Sequence, residues 1–179
     1  MSERPVLARP AIRRAHAEDA GALGLLGAAT FLETYALTLN GVDIVTHCVK
    51  HHAPEVYAHW IEREDCAVWL AQAGEGDTAI GFAVLTPPDL PGALDDDLEL
   101  RRIYVLTPFQ GFGLGRQFIE QAAKEAKSRG AERLLLGVYG ENETAMAFYK
   151  KVGFRQVGTR EFQVGRKLCF DYVLALSLN

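Results

Sequence analysis

Apolar residues recur along this chain with two different periods, and the switches between them outline its elements. In "LELRRIYVL" (98–106) apolar and polar residues alternate, as in a strand with one buried face. Past three closely spaced glycines, Leu114, Phe118, Ala122 and Ala126 recur every four residues, which predicts one buried helix face. Lys124, Lys127 and Arg129 gather in that helix's last turns, where cations complement its dipole, and Gly130 stops it. "RLLLGVY" (133–139) is almost wholly apolar and predicts a short strand buried on both faces. "NETAMAFYKKVGF" predicts a helix starting near Asn142 and stopping at Gly153. "RQVGTREFQV", a "GRK" turn and "LCFDYVLAL" make a closing hairpin.

Upstream, "CAVWLAQA" and "TAIGFAVLTP" form a hairpin about the turn "GEGD", followed by the proline-rich, acidic loop "PPDLPGALDDD". "AIRRA" (11–15) suits an edge strand, and residues 16–39 predict a helix with Asp19 near its start, although its glycines weaken it. Residues 43–52 and 54–64 predict two shorter helices, the second opening on Pro54. The order is helices, then β-β-β-α-β-α-β-β, which implies one α/β domain over residues 1–179 with a mixed sheet.

Composition narrows the function classes. At 179 residues the chain has room for one well-cored domain. A net charge of −4 argues against a sequence-independent nucleic-acid binder and mildly favours cationic small substrates. Cys48, Cys66 and Cys169 are odd in number and lack C-x-x-C spacing, which fits a reducing compartment. The opening "MSERPVLARPAIRRA" lacks the apolar core of a secretion signal, and no apolar run nears the ~18 residues of a membrane span. A cytoplasmic protein without membrane or nucleic-acid partners is expected. His47, His51, His52 and His59 invite a metal reading, but no cysteine or carboxylate completes a ligand set, so no metal is expected.

The chemistry concentrates in "QGFGLGR". A strand, a glycine-rich turn and a helix N-terminus leave backbone N–H groups pointing at an anion. Gly111, Gly113 and Gly115 remove the Cβ atoms that would block a phosphate, and Arg116 adds a charge. A Walker A loop requires G-K-[ST], whereas Arg116-Gln117 stands there; a dinucleotide fingerprint requires G-x-G-x-x-G, whereas this is G-x-G-x-G after a hairpin.

Q-x-x-G-x-G, here Gln110, Gly113 and Gly115, resembles the pyrophosphate-binding loop of the GNAT superfamily of N-acetyltransferases. A second signature follows some 30 residues on: Asn142, Ala145, Phe148, Tyr149, Gly153 and Phe154 resemble the family's Asn, A-x-x-F-Y helix and closing G-F. The likeness runs from about Ala67 to Leu176. It implies a central mixed, mostly antiparallel sheet of about seven strands, with a splayed central parallel pair and four to five flanking helices. It also implies acetyl-CoA as cosubstrate, its pantetheine arm along Ile103, Tyr104 and Val105 and its pyrophosphate on Gln110, Gly111, Phe112, Gly113, Leu114, Gly115 and Arg116. Asn142, Ala145, Phe148, Tyr149 and Lys151 would complete that site.

By the same resemblance Tyr149 matches the acid that protonates the departing thiolate, and Glu99 is the candidate base acting through water. A base matters because a lysine-like amine of pKa about 10.4 is neutral in only ~1 part in 2,500 at pH 7, roughly 4.6 kcal/mol. Phe31 and Tyr35 are candidates for the acceptor pocket. "LELRRIYVL…QGFGLG" and "FLETYALTLN" look most like the PaiA-like branch acting on polyamines and other small amines, as a monomer or homodimer. A protein N-terminal acetyltransferase and a non-catalytic acyl-CoA sensor remain the alternatives.

Overall fold

The computed structural model describes residues 10–179; the opening segment read above for a secretion signal lies, through residue 9, outside them. Seven strands form one sheet in the order β1-β2-β3-β4-β5-β7-β6. They are β1 (Ala11–Arg14), β2 (Ala67–Ala73), β3 (Thr78–Thr86), β4 (Asp97–Val105), β5 (Arg133–Tyr139), β6 (Arg155–Val164) and β7 (Lys167–Ser177). Every neighbouring pair is antiparallel except β4 and β5. The five helices are α1 (Ala20–Tyr35), α2 (Gly41–His51), α3 (Pro54–Glu62), α4 (Leu114–Ser128) and α5 (Glu143–Val152). The architecture is that of the GNAT fold expected from the motifs. Among the described residues no helix is long and apolar enough to cross a membrane.

The alternation of β2 and β3 sends side chains to two cores. Trp69, Ala71, Ala83 and Leu85 meet Phe118, Ile119, Ala122 and Ala126 of α4, the face its four-residue repeat marked out. Val68, Leu70, Phe82 and Val84 meet Leu23 and Leu26 of α1 and Tyr57 of α3. Helix α1 begins later than the sequence pattern suggested, after a 3-10 turn over Ala17–Asp19, because the Asp19 carboxylate accepts from the His16 N–H at 2.7 Å and from both terminal nitrogens of Arg13. Two of its three glycines, Gly24 and Gly27, have a packing reason. A Cβ at Gly24 would stand 2.8 Å from the His52 carbonyl oxygen, and one at Gly27 would overlap the Tyr57 hydroxyl and the His52 ring, so α1 lies closer to those residues than alanine permits.

The relation between β4 and β5 places the site. Their parallel pairing covers only Asp97 with Arg133, Leu98 with Leu134 and Glu99 with Leu135. The Arg133 guanidinium pins that base, donating to Asp97 through Nε at 2.8 Å and Nη2 at 2.6 Å. Just beyond, β4 carries a bulge: Leu85 pairs with Leu100 and Val84 with Arg102, leaving Arg101 as the extra residue. From there β4 follows β3 while β5 follows β7, and a wedge opens between them. Leu134, Leu136 and Val138 on one face of β5 and Leu135 on the other are buried, as expected, while Gly137 is exposed in the wedge.

Candidate active site

Two cavities open on either side of the wedge, of about 610 and 570 Å³. Seven residues line both: Ile103, Tyr104, Val105, Gln110, Asn142, Ala145 and Tyr149. The wedge thus joins a compartment at the glycine loop to one beneath α1.

The glycine-loop compartment follows from local sequence. Gln110 leaves the 3-10 turn Thr107–Phe109, and its side-chain amide donates to the Val105 carbonyl at 3.1 Å, tying loop to strand. Gly111 and Gly113 have φ of 85° and 80°, the left-handed conformation that L side chains resist. Helix α4 starts at Leu114, and the first N–H to find a carbonyl is that of Gln117, on Gly113 at 3.1 Å. The N–H groups from Gly111 to Arg116 have no acceptor among the described residues, so the helix opens as a row of unsatisfied donors. A Cβ at Gly115 would come 3.3 Å from Phe148, so α4 and α5 pack closely behind the row. Arg116 and Lys151 line this compartment, with Arg116 paired to Glu120 at 3.0 Å. Phe112 does not; its side chain is exposed.

Between the compartments the Leu106 N–H donates to Ile80 of β3 at 2.9 Å. Strand alternation then turns the N–H groups of Ile103 and Val105 the other way, into the wedge. Asn142 caps α5 by accepting from the Ala145 N–H at 3.0 Å. Tyr149 is buried, its hydroxyl bonds to no other described side chain, and desolvation raises its pKa, so the phenol stays protonated.

Glu99 requires a correction. It points to the face opposite Leu98 and Leu100, its carboxylate accepts from the Asp89 N–H at 2.7 Å and from Arg101 at 3.3 Å, and it lines neither cavity. Burial raises its pKa, with Arg101 and the Asp89 N–H opposing. It holds the proline-rich loop to the sheet.

Phe31 and Tyr35 do line the compartment beneath α1. Phe31 stacks on His47 with centroids 4.1 Å apart, and Tyr35 meets Tyr139 edge-on at 5.5 Å. His47 and His52, weighed in the sequence only as metal ligands, join them, as do Arg102, Arg160 and Asp171, for which the sequence suggested no role. Arg102 Nη1 donates to the Tyr57 hydroxyl at 2.8 Å and lies 3.2 Å from His52 Nδ1, itself 2.8 Å from that hydroxyl. A guanidinium only donates, so His52 Nδ1 must be an unprotonated acceptor. Desolvation, then Arg102, lowers His52 to about 3; desolvation, with His51 and Arg102, lowers His47 to about 4. These histidines are neutral, and among the described residues no cluster of His, Cys, Asp and Glu is arranged to hold a metal. Arg160 pairs with Asp171 at 2.6 Å beside Gly137. Asp171 left one trace in the sequence, an acid on the face of "LCFDYVLAL" shared by Cys169 and Val173.

The arrangement has counterparts among known proteins. An uncharacterized N-acetyltransferase of Mycobacterium tuberculosis is 35% identical over 99 residues, 55% of this chain and 60% of its own length. The streptothricin acetyltransferase of Streptomyces lavendulae is 33% identical over 97 residues, 54% of this chain and 49% of its own. The chain therefore matches about half to three fifths of the length of these relatives. Among solved structures, the PaiA N-acetyltransferase of Thermoplasma acidophilum in complex with coenzyme A superimposes with a TM-score of 0.77 at 22% identity, covering 95% of this chain and 99% of that one. That likeness is one of fold. The model of the acetyltransferase (GNAT) family matches residues 32–154, more than half of the chain, and the chain belongs to that family.

Proposed function

We propose that the protein is an N-acetyltransferase that moves an acetyl group from acetyl-CoA to the primary amine of a small molecule, within a complex holding both substrates. One observation carries the reading: a cup of unsatisfied N–H groups at Gly111–Arg116 opens through the splayed strands, past Tyr149, into a second compartment. A diphosphate fits the cup, since the left-handed glycines bare the backbone and nothing lies within 4 Å of a Cβ position at Gly111. Gln110, Arg116 and Lys151 would hold the cosubstrate there, with the N–H groups of Ile103 and Val105 available to an extended arm in the wedge.

Acetyl-CoA bound there supplies a thioester, an acetyl group activated toward amines. The protein holds a proton on the Tyr149 hydroxyl where the compartments meet, on a side chain that is itself largely buried. The wedge N–H groups are fixed donors for charge developing on a carbonyl oxygen. Phe31, Tyr35 and Tyr139 give the acceptor side aromatic walls suited to an alkyl chain or a cation. The test is thiol release from acetyl-CoA with alkylamines, polyamines and peptides with free N-termini. Release with small amines supports the reading; coenzyme A binding with no release for any acceptor contradicts it.

A further inference from the structure

The acceptor compartment contains an unfinished ion pair. At Arg133–Asp97 the guanidinium meets both carboxylate oxygens through Nε and Nη2. At Arg160–Asp171 only Nη2 to Oδ2 is made, at 2.6 Å. Among the described residues, Arg160 Nε and Asp171 Oδ1 are the two buried side-chain polar atoms without any partner. Asp171 is 4% exposed, and a carboxylate oxygen so buried and unpaired is costly unless something else completes it.

The surroundings say where that partner comes from. Both residues line the acceptor compartment. Gly137 lies beneath them: a Cβ there would stand 3.1 Å from Arg160 Nη2 and 3.4 Å from Asp171 Oδ2, so no β5 side chain at this position stands between the pair and the wedge. Tyr35 of α1, Tyr104 of β4, Tyr139 of β5 and Phe162 of β6 stand around it. Arg101 and Arg102, the other arginines on the wall, are already engaged, with Glu99 and with Tyr57. Glu33 and Glu141 add two carboxylates to the same lining.

We infer that Asp171 is the acceptor-recognition residue, its free Oδ1 taking an N–H of an alkylammonium or alkylamine substrate while Arg160 holds the carboxylate in place. The inference rests on the amine-acetyltransferase reading. Arg160 from β6 is the charged neighbour of Asp171, Tyr35 and Tyr104 present neutral phenols, and Cys169 lies two residues along β7. Burial raises the Asp171 pKa against the pull of Arg160, so acidification neutralises the carboxylate earlier than it would a surface aspartate.

The experiment compares wild type, Asp171→Asn and Asp171→Glu with hexylamine and 1,4-diaminobutane as acceptors. KM for the amine, KM for acetyl-CoA and melting temperature are measured together, and amine binding to each protein is followed by calorimetry. Asp171→Asn raises KM and Kd for the amine by about tenfold or more and leaves KM for acetyl-CoA within about twofold. It also abolishes the weakening of amine binding that wild type shows on acidification, while Asp171→Glu recovers part of the affinity. Unchanged amine affinity and pH profile in Asp171→Asn overturn the inference. So does a loss shared equally with acetyl-CoA and matched by a large fall in melting temperature, which marks a structural pair only. Calorimetry reads the site even if wild type transfers no acetyl group, the outcome that defeats the catalytic reading alone.

Discussion

Arg102 of β4 donates to the Tyr57 hydroxyl of α3 at 2.8 Å, and the same nitrogen lies 3.2 Å from His52. This contact is possible because Arg101 is bulged out and the next side chain faces α1 and α3. Its Nη2 donates to the His51 carbonyl at 2.7 Å, and the guanidinium lies over the Trp60 ring at 4.8 Å. The bulge that opens the wedge also anchors its roof.

That anchor has a pH dependence. His52 stands at about 3 in the fold, below its ordinary 6.5, so the unfolded chain binds a proton that the folded chain refuses. The stabilisation is complete above pH 6.5 and is lost as pH falls from there toward 3, by up to about 1.4 kcal/mol per pH unit. Urea unfolding between pH 7.5 and 4.5 should show a falling midpoint, with a shallower fall in His52→Gln. Equal slopes would contradict the assignment of His52 as a neutral acceptor.

The close approach of α1 is testable at Gly27. Alanine gains about 1 kcal/mol of helix propensity over glycine, yet its methyl would overlap Tyr57 and His52. Gly27→Ala should destabilise by about 1–3 kcal/mol net, read from the urea midpoint. The exposed Gly21, with nothing within 4 Å of its Cβ position, should gain stability on the same change.

Removing the Tyr149 hydroxyl leaves the ring and its packing against Phe148 and Phe154. Tyr149→Phe should lower kcat by about 10²-fold or more with little change in melting temperature. Unchanged kcat would remove the tyrosine from the proton's path.

Glu99 gives the opposite expectation. Its carboxylate serves the Asp89 N–H and Arg101 away from both cavities, and a glutamine can still accept from that N–H. Glu99→Gln should leave kcat within about threefold, far short of the 10² that loss of a general base costs. A fall of that larger size, at unchanged stability, would return Glu99 to the reaction.

The strands and α4 were legible because their faces carry a period, as Leu114, Phe118, Ala122 and Ala126 do. The loop was legible because Gly111 and Gly113 meet a backbone demand that few other residues can. The wedge was not: "RLLLGVY" reads the same whether a neighbour strand stays or departs, and the bulge at Arg101 shows only as a doubled arginine where the apolar phase slips from Leu98 and Leu100 to Ile103 and Val105. Glu99 is near the loop in the chain, but its side chain faces away from Leu98 and Leu100 and lines neither cavity. Asp171 and Arg160 face each other across the closing hairpin that the sequence predicts, but their meeting with Gly137 of β5 had no local signal.

The central claim is that the N–H groups of residues 111–116 receive the diphosphate of coenzyme A. Backbone amide NMR shifts during titration with coenzyme A, against the same titration with pantetheine, test it directly. The account predicts large shifts at Gly111, Gly113, Leu114 and Gly115 with coenzyme A and small ones there with pantetheine. Coenzyme A bound with those four amides unmoved would contradict it.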